Sequence, residues 1–197
     1  GGFIPLALKS VSETDPDARI TKMKDGTTHL AYKAEHVVDL ATNIIVAAEI
    51  CPADQGDPQT LVDSVMMAQL HLEQVDESLQ IEEVVADKGY HAAATLEHCE
   101  ALELRTYIPE PQRKHAAKWT DKPADFQRCV LNNRRRVQRP KSKQLQRARS
   151  EQCERSFAHV CDTGGQRRTW LRGLIDVTKR YLIAVAGHNL SQIMRKL

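Results

Sequence analysis

No apolar run in these 197 residues is long enough to cross a bilayer, which removes helical membrane proteins from consideration. The first nine residues, Gly1 to Lys9, carry no basic lead and no signal-peptide pattern. An initiator Met is also missing, so the chain is expected to be processed or to be a piece of something longer. There is no CxxC spacing, and the five cysteines are an odd number. That pattern excludes a disulfide framework and fits reduced thiols in a cytoplasmic protein. His98-Cys99 is the nearest approach to a ligand pair, but no second pair stands at the spacing of a structural zinc site. Internal repeats and low-complexity tracts are absent as well.

What is present is an ordinary globular composition, 41% hydrophobic and 27% charged, enough for one domain with a real core. The net charge of +2 conceals an asymmetry. Residues 1–112 hold 7 basic and 20 acidic side chains, whereas residues 113–197 hold 21 basic and 6 acidic. A basic excess sustained over that length points to a polyanion such as nucleic acid rather than to a merely solvated surface.

Periodicity sets the expected order of elements. His29 to Asp39 and Ile44 to Ile50 read as antiparallel strands. Asp57-Pro58 starts a helix through Val75, with Leu61, Val65, Ala68 and Leu72 on one face. Ile81 to Ala86 is a short buried strand, His91 to Leu102 a helix, and Leu104 to Ile108 a strand stopped by Pro109 and Pro111. Residues 112–140 read as a basic connector or insertion, partly helical, with Arg134-Arg135-Arg136 as a dense charge run. A helix resumes from Lys141 and ends at Gly164-Gly165, and a last one covers Asp176 to Leu197. Strands interleaved with helices imply an α/β fold with a mixed sheet.

Two acids stand out. Asp87 sits at the carboxyl end of a buried strand, where α/β sheets collect ligands, although an Asp there also serves as a helix N-cap. Glu154 has no base three or four residues away, unlike Glu151, which is four residues from both Arg147 and Arg155. Glu154 lies beside Cys153 and Phe157, close to the expected apolar face, and so calls for a cation supplied from elsewhere. Two carboxylates suit Mg²⁺, and a basic surface beside them suits a nucleic acid backbone. Such a set points to phosphodiester chemistry, for which a third acid is required. Lys88, Arg155, Arg167, Arg168 and Arg172 are candidate DNA contacts, with solvated charge as the bland alternative. Trp119 is either a base-stacking residue or a small hydrophobic anchor.

Four ordered stretches carry a resemblance. They are Thr14 to Arg19 (TDPDAR), His29 to Asp39 (HLAYKAEHVVD), Val84 to Tyr90 (VVADKGY), and Cys153 to His159 (CERSFAH) with Thr163 to Arg168 (TGGQRR) and Leu171 to Gly173 (LRG). From about Thr14 to the end, the chain resembles the C-terminal part of the catalytic domain of a DDE transposase from a bacterial insertion sequence. The resemblance implies a ribonuclease H-like mixed sheet with flanking helices. It implies Asp87 and Glu154 as the second and third catalytic acids, holding Mg²⁺ or Mn²⁺, two ions in a complete site. It also implies insertion-sequence ends and target DNA as partners, and self-association on DNA. The first Asp belongs to a central strand ahead of the TDPDAR stretch, and no such strand is read here, so residues 1–197 are expected to form a single truncated domain, inactive alone. A DNA-binding remnant without chemistry and a ribonuclease H-like nuclease are the alternatives.

Overall fold

In the computed structural model, which describes residues 12–22, 26–112 and 119–197, the chain divides into two units. The first comprises residues 1–39, 43–55 and 155–197, and the second residues 40–42 and 56–154. Phe3 to Leu8, an apolar stretch without an acid that could imitate the strand expected to be missing, lies outside the described residues.

The first unit is built on a three-stranded antiparallel sheet in the order β1 (Arg19–Lys22), β2 (Thr28–Val38), β3 (Ile45–Pro52). The two long strands fall where alternation places them. β1 is an addition, since four residues are too few to show a period. Asn43 closes the β2–β3 connection in the left-handed region (φ 63°), which Asn tolerates better than other side chains. The last helix, α5 (Leu174–Met194), lays Val177, Tyr181 and Val185 against Ile45 and Ile50 of β3, with Val160 completing the cluster. Asn189 of α5 fixes the register of that packing. Its amide accepts from Ile45 N (2.9 Å) and donates to Ile45 O (2.8 Å). A side chain thus takes the place of a neighbouring strand.

The second unit has a parallel pair, β4 (Glu83–Val85) and β5 (Arg105–Tyr107). Around it stand α1 (Asp57–Val75), α2 (Ala93–Ala101), α3 (Ala124–Val137) and most of α4 (Pro140–Phe157). Parallel strands need a crossover, and α2 supplies it. The core joins Leu61 and Val65 of α1, Val84 and Ala86, Leu96 and Cys99 of α2, Leu104 and Ile108, and Cys129 and Val130 of α3. Fully buried side chains such as Leu96 and Ile108 contribute on the order of 2 kcal/mol each. Trp119 packs against this cluster, so of its two readings the structure supports the anchor.

Two details differ from the sequence reading. The N-cap of α1 is Gly56, one residue earlier than expected. Glycine has no side chain to offer, so Gln59 Oε1 reaches back to accept from Gly56 N (3.2 Å). The stretch read as a partly helical basic connector holds α3, and what differs is that this helix is packed into the unit, with Cys129, Val130 and Asn133 buried. Asn133 does for Ile108 what Asn189 does for Ile45: it accepts from the backbone N (3.1 Å) and donates to the backbone O (2.8 Å). Only three inward residues in fourteen betray the helix, and the arginines around them hide the pattern.

Candidate functional site

Asp87 follows β4 at its carboxyl end and is exposed. Its Oδ1 accepts from Lys88 N (2.7 Å), which caps the short 3₁₀ turn Lys88–Tyr90. The capping role is therefore real, and it engages one oxygen and leaves the other outward. The turn is pressed against the start of α1: a Cβ at Gly89 would stand 2.4 Å from Asp57 Oδ2. Asp57, read from sequence as a helix cap, is a half-buried carboxylate beside the same turn. Nothing in the sequence signals that proximity.

α4 is tied alongside β4. At its start Lys141 Nζ meets Glu83 Oε1 (2.6 Å), and Tyr107 Oη donates to the same oxygen (2.9 Å). Burial pushes the Glu83 carboxyl up, but the hydrogen bonds from Lys141 and Tyr107 outweigh it and the net shift is downward. Further along, Gln146 Nε2 donates to Ala86 O (3.2 Å) and Tyr107 O (2.6 Å), at the carboxyl ends of both strands. α4 therefore runs past the strand ends on the side where Asp87 begins. Glu154 lies eight residues beyond Gln146, about 12 Å of helix rise.

Glu154 is exposed, and it is not on the apolar face as its sequence neighbours suggested. Each step along a helix turns a side chain by roughly 100°, so Ser156 is buried while Glu154 points out. Ser150 Oγ, one turn earlier, donates to Glu154 Oε1 (2.8 Å). Both acids thus belong to the second unit, and each has one oxygen held by an internal donor. Among the described residues, no group of three His, Cys, Asp or Glu side chains is assembled as a metal ion would require. These two carboxylates do not make a metal site by themselves.

The acids of the TDPDAR stretch have another task. Asp15 accepts from Tyr32 Oη through both oxygens (2.8 and 2.7 Å) and from Gly173 N (3.1 Å). Asp17 Oδ2 accepts from Leu174 N (2.9 Å), at the first turn of α5. Burial, followed by the Asp15 carboxylate, pushes the Tyr32 hydroxyl up and keeps it a donor. TDPDAR and LRG, far apart in sequence, form one clasp that satisfies the free amides of a helix start.

The candidate DNA contacts have varied surroundings. Lys88 is exposed in the Asp87 turn. Arg155 is exposed and already engaged within the fold. Arg167 is paired with Asp162. Arg168 and Arg172 are exposed, and no ion pair answers either of them among the described residues. They flank Trp170, which is 78% exposed. The sequence signal there is a tryptophan set among arginines, Arg167-Arg168-Thr169-Trp170-Leu171-Arg172.

Between Glu154 and that loop, the helix widens into a π turn, Ala158–Thr163, closed by Gly164 N to His159 O (2.8 Å). A Cβ at Gly164 would come 2.5 Å from Val160 O, so the first glycine of TGGQRR is required for the backbone to turn back on itself.

No helix of the described residues is long and apolar enough to cross a membrane. A family model described as a transposase DDE domain matches residues 10–190. Neither the curated proteins nor the solved structures provide a match.

Proposed function

The chain belongs to the transposase DDE domain family, and from that premise we propose that it is the part of a transposase catalytic domain that carries two of the reactive acids, Asp87 and Glu154. Supporting this reading is the placement of Asp87, solvent-facing at the carboxyl end of a strand in a parallel pair, where α/β folds bind ligands. We read the fold as ribonuclease H-like, a class that combines antiparallel and parallel strands. The reaction class is phosphodiester cleavage and strand transfer at the ends of a mobile DNA element, in the cytoplasm of a bacterium, with self-association on DNA. Mg²⁺ or Mn²⁺ is the family's expected cofactor, and the complete metal site needs at least one more carboxylate than these two.

It follows that this polypeptide alone does not turn over. The test is nicking of terminal-repeat DNA with Mg²⁺ or Mn²⁺. No product is expected, and robust cleavage lost in Asp87→Asn would show that the third ligand lies within the chain after all.

A second reading, DNA binding without chemistry, is favoured by the capping bond from Asp87 to Lys88 N. It holds that Asp87→Asn leaves DNA affinity unchanged and that binding weakens steeply with salt. Transposition restored by supplying the remainder of the domain in trans, and abolished again by Glu154→Gln, would decide for the catalytic reading.

A further inference from the structure

We propose that the Trp170 loop and the groove beside it form a binding site for single-stranded DNA, with the indole stacking on an unpaired base. This rests on the assignment of DNA as the partner and adds what that assignment leaves open: which strand state is held, and by which residues.

The first observation is the indole itself. Trp170 is 78% exposed, yet it is not loose. The Arg180 guanidinium lies over its ring, 4.3 Å from the centroid. Arg180 in turn donates to Arg168 O (2.9 Å) and Gly165 O (3.1 Å). One residue therefore pins the loop to α5 and supports the ring. A rigid aromatic surface open to water is what base stacking uses, and every base offers it a π-face once unpaired.

Charge is the second. From Asp162 to Arg180 the chain carries Arg167, Arg168, Arg172, Lys179 and Arg180 against Asp162 and Asp176. Both carboxylates are occupied, by Arg167 and Lys179. The surplus is cationic and suits a phosphate backbone.

A third observation lies in the adjoining groove, of about 840 Å³, along α5. Leu171, Ile183 and Ala184 give it apolar lining, and Lys179 and Arg180 give it charge. His188 also lines it and is only 7% exposed. Among the described residues its Nε2 is buried without a hydrogen-bond partner. Such an atom costs stability unless something completes it, and a base edge is a group that could do so if the groove gives way by a small shift. Burial first, then His159 and Arg195, hold the His188 imidazole below its usual range, so it is neutral near pH 7 and can donate or accept. A duplex buries its base faces, so stacking on the indole calls for an unpaired base. A single strand can use both indole and groove.

The chain has only two tryptophans, and the other, Trp119, is packed on the second unit's core. In Trp119→Phe the emission therefore reports Trp170 alone. Binding is followed by anisotropy of a labelled oligothymidylate and of a labelled hairpin duplex, with the full chain at fixed salt. Oligothymidylate is expected to quench Trp170 emission, and Trp170→Ala to weaken that binding about tenfold while changing duplex affinity less than about twofold. Should the oligonucleotide bind with Trp170 emission unmoved and Trp170→Ala bind equally well, the stacking site is wrong while DNA remains the partner. An equal loss on both probes would also overturn it, since the loop would then be gripping backbone only. If neither probe binds the unaltered chain, this proposal and the DNA assignment fall together. The Trp170→Ala comparison does not depend on Trp119→Phe and stands if that variant misfolds.

Discussion

The two units place their polar groups differently. In the second, charge is spent inward or pairwise: Arg128 on Glu100, Arg134 on Glu110, Lys141 on Glu83, and Arg136 on the Thr106 carbonyl (3.0 Å) and hydroxyl (3.1 Å). The first also pairs charges, Lys33 with the buried Glu35 among them, but its centre is a network of neutral groups. His36 stacks on Phe157 with ring centroids 4.0 Å apart, bonds Ser156 Oγ through Nδ1 (2.9 Å) and meets Tyr181 Oη through Nε2 (2.7 Å). The lesson concerns the basic half of the sequence. It is not one polyanion surface, because much of its charge in α3 neutralises acids of the same unit. Among the described residues, the part that no ion pair answers includes Arg168 and Arg172 on either side of Trp170, and Arg135, Arg139, Lys143 and Arg147 along α3 and α4.

The sharpest way to break this comparison is through the two asparagines that stand in for strands. Asn133 is fully buried, so Asn133→Ala strands the amide and carbonyl of Ile108 without water. A loss of about 3–5 kcal/mol is expected, read by urea unfolding. A loss below about 1 kcal/mol would mean the cavity admits water.

Next in size is an acid effect confined to the first unit. Burial, with His188 nearby, holds the His36 imidazole down at about 3, against about 6.5 in the unfolded chain. The unfolded state therefore binds a proton that the folded state refuses. This contribution to stability is fully present above about pH 6.5 and is lost progressively as pH falls toward 3. From pH 7.5 to pH 5 the loss is about 2 kcal/mol, and His188 shifts in the same direction. His36→Gln should flatten the slope. A wild-type stability that is level over that range would refute the assignment.

Asn189→Ala comes third. The bond pair matches that of Asn133, but the site is half-buried, so water replaces part of it and about 1–2 kcal/mol is expected. A cost equal to that of Asn133→Ala would erase the distinction between the two devices. Smallest is the salt effect. Arg168→Ala and Arg172→Ala should each lower the salt slope of DNA binding by about one, whereas Arg134→Ala, already paired with Glu110, should leave it alone. Equal effects from all three would restore the uniform basic surface.

Much of the architecture was legible in the residues. Alternation placed β2 and β3, the 3.6-residue period placed α1 and α5, and prolines bounded β5. β1 was too short to register, and α3 was masked by arginine. The candidate acids were legible as types but not as surroundings: Asp87 was placed at its strand end, while Glu154 was assigned the wrong face by one helical step. The clasp joining Asp15 and Asp17 to Gly173 and Leu174, and the groove at His188, left no trace that a single stretch could show.

By itself the sequence determined what depends on near neighbours and on order. Strand and helix periods, the turns at glycine and proline, and the ordered motifs that mark the family all belong there, because backbone preference acts within a few residues. Only the tertiary structure decided which charges are spent, which amides need a side chain and which tryptophan meets water. Hydrogen bonds and ion pairs act over about 3 Å, and their partners here are separated by 24 residues for Glu110 and Arg134 and 144 for Ile45 and Asn189. Such meetings are settled by packing, after the local choices have been made.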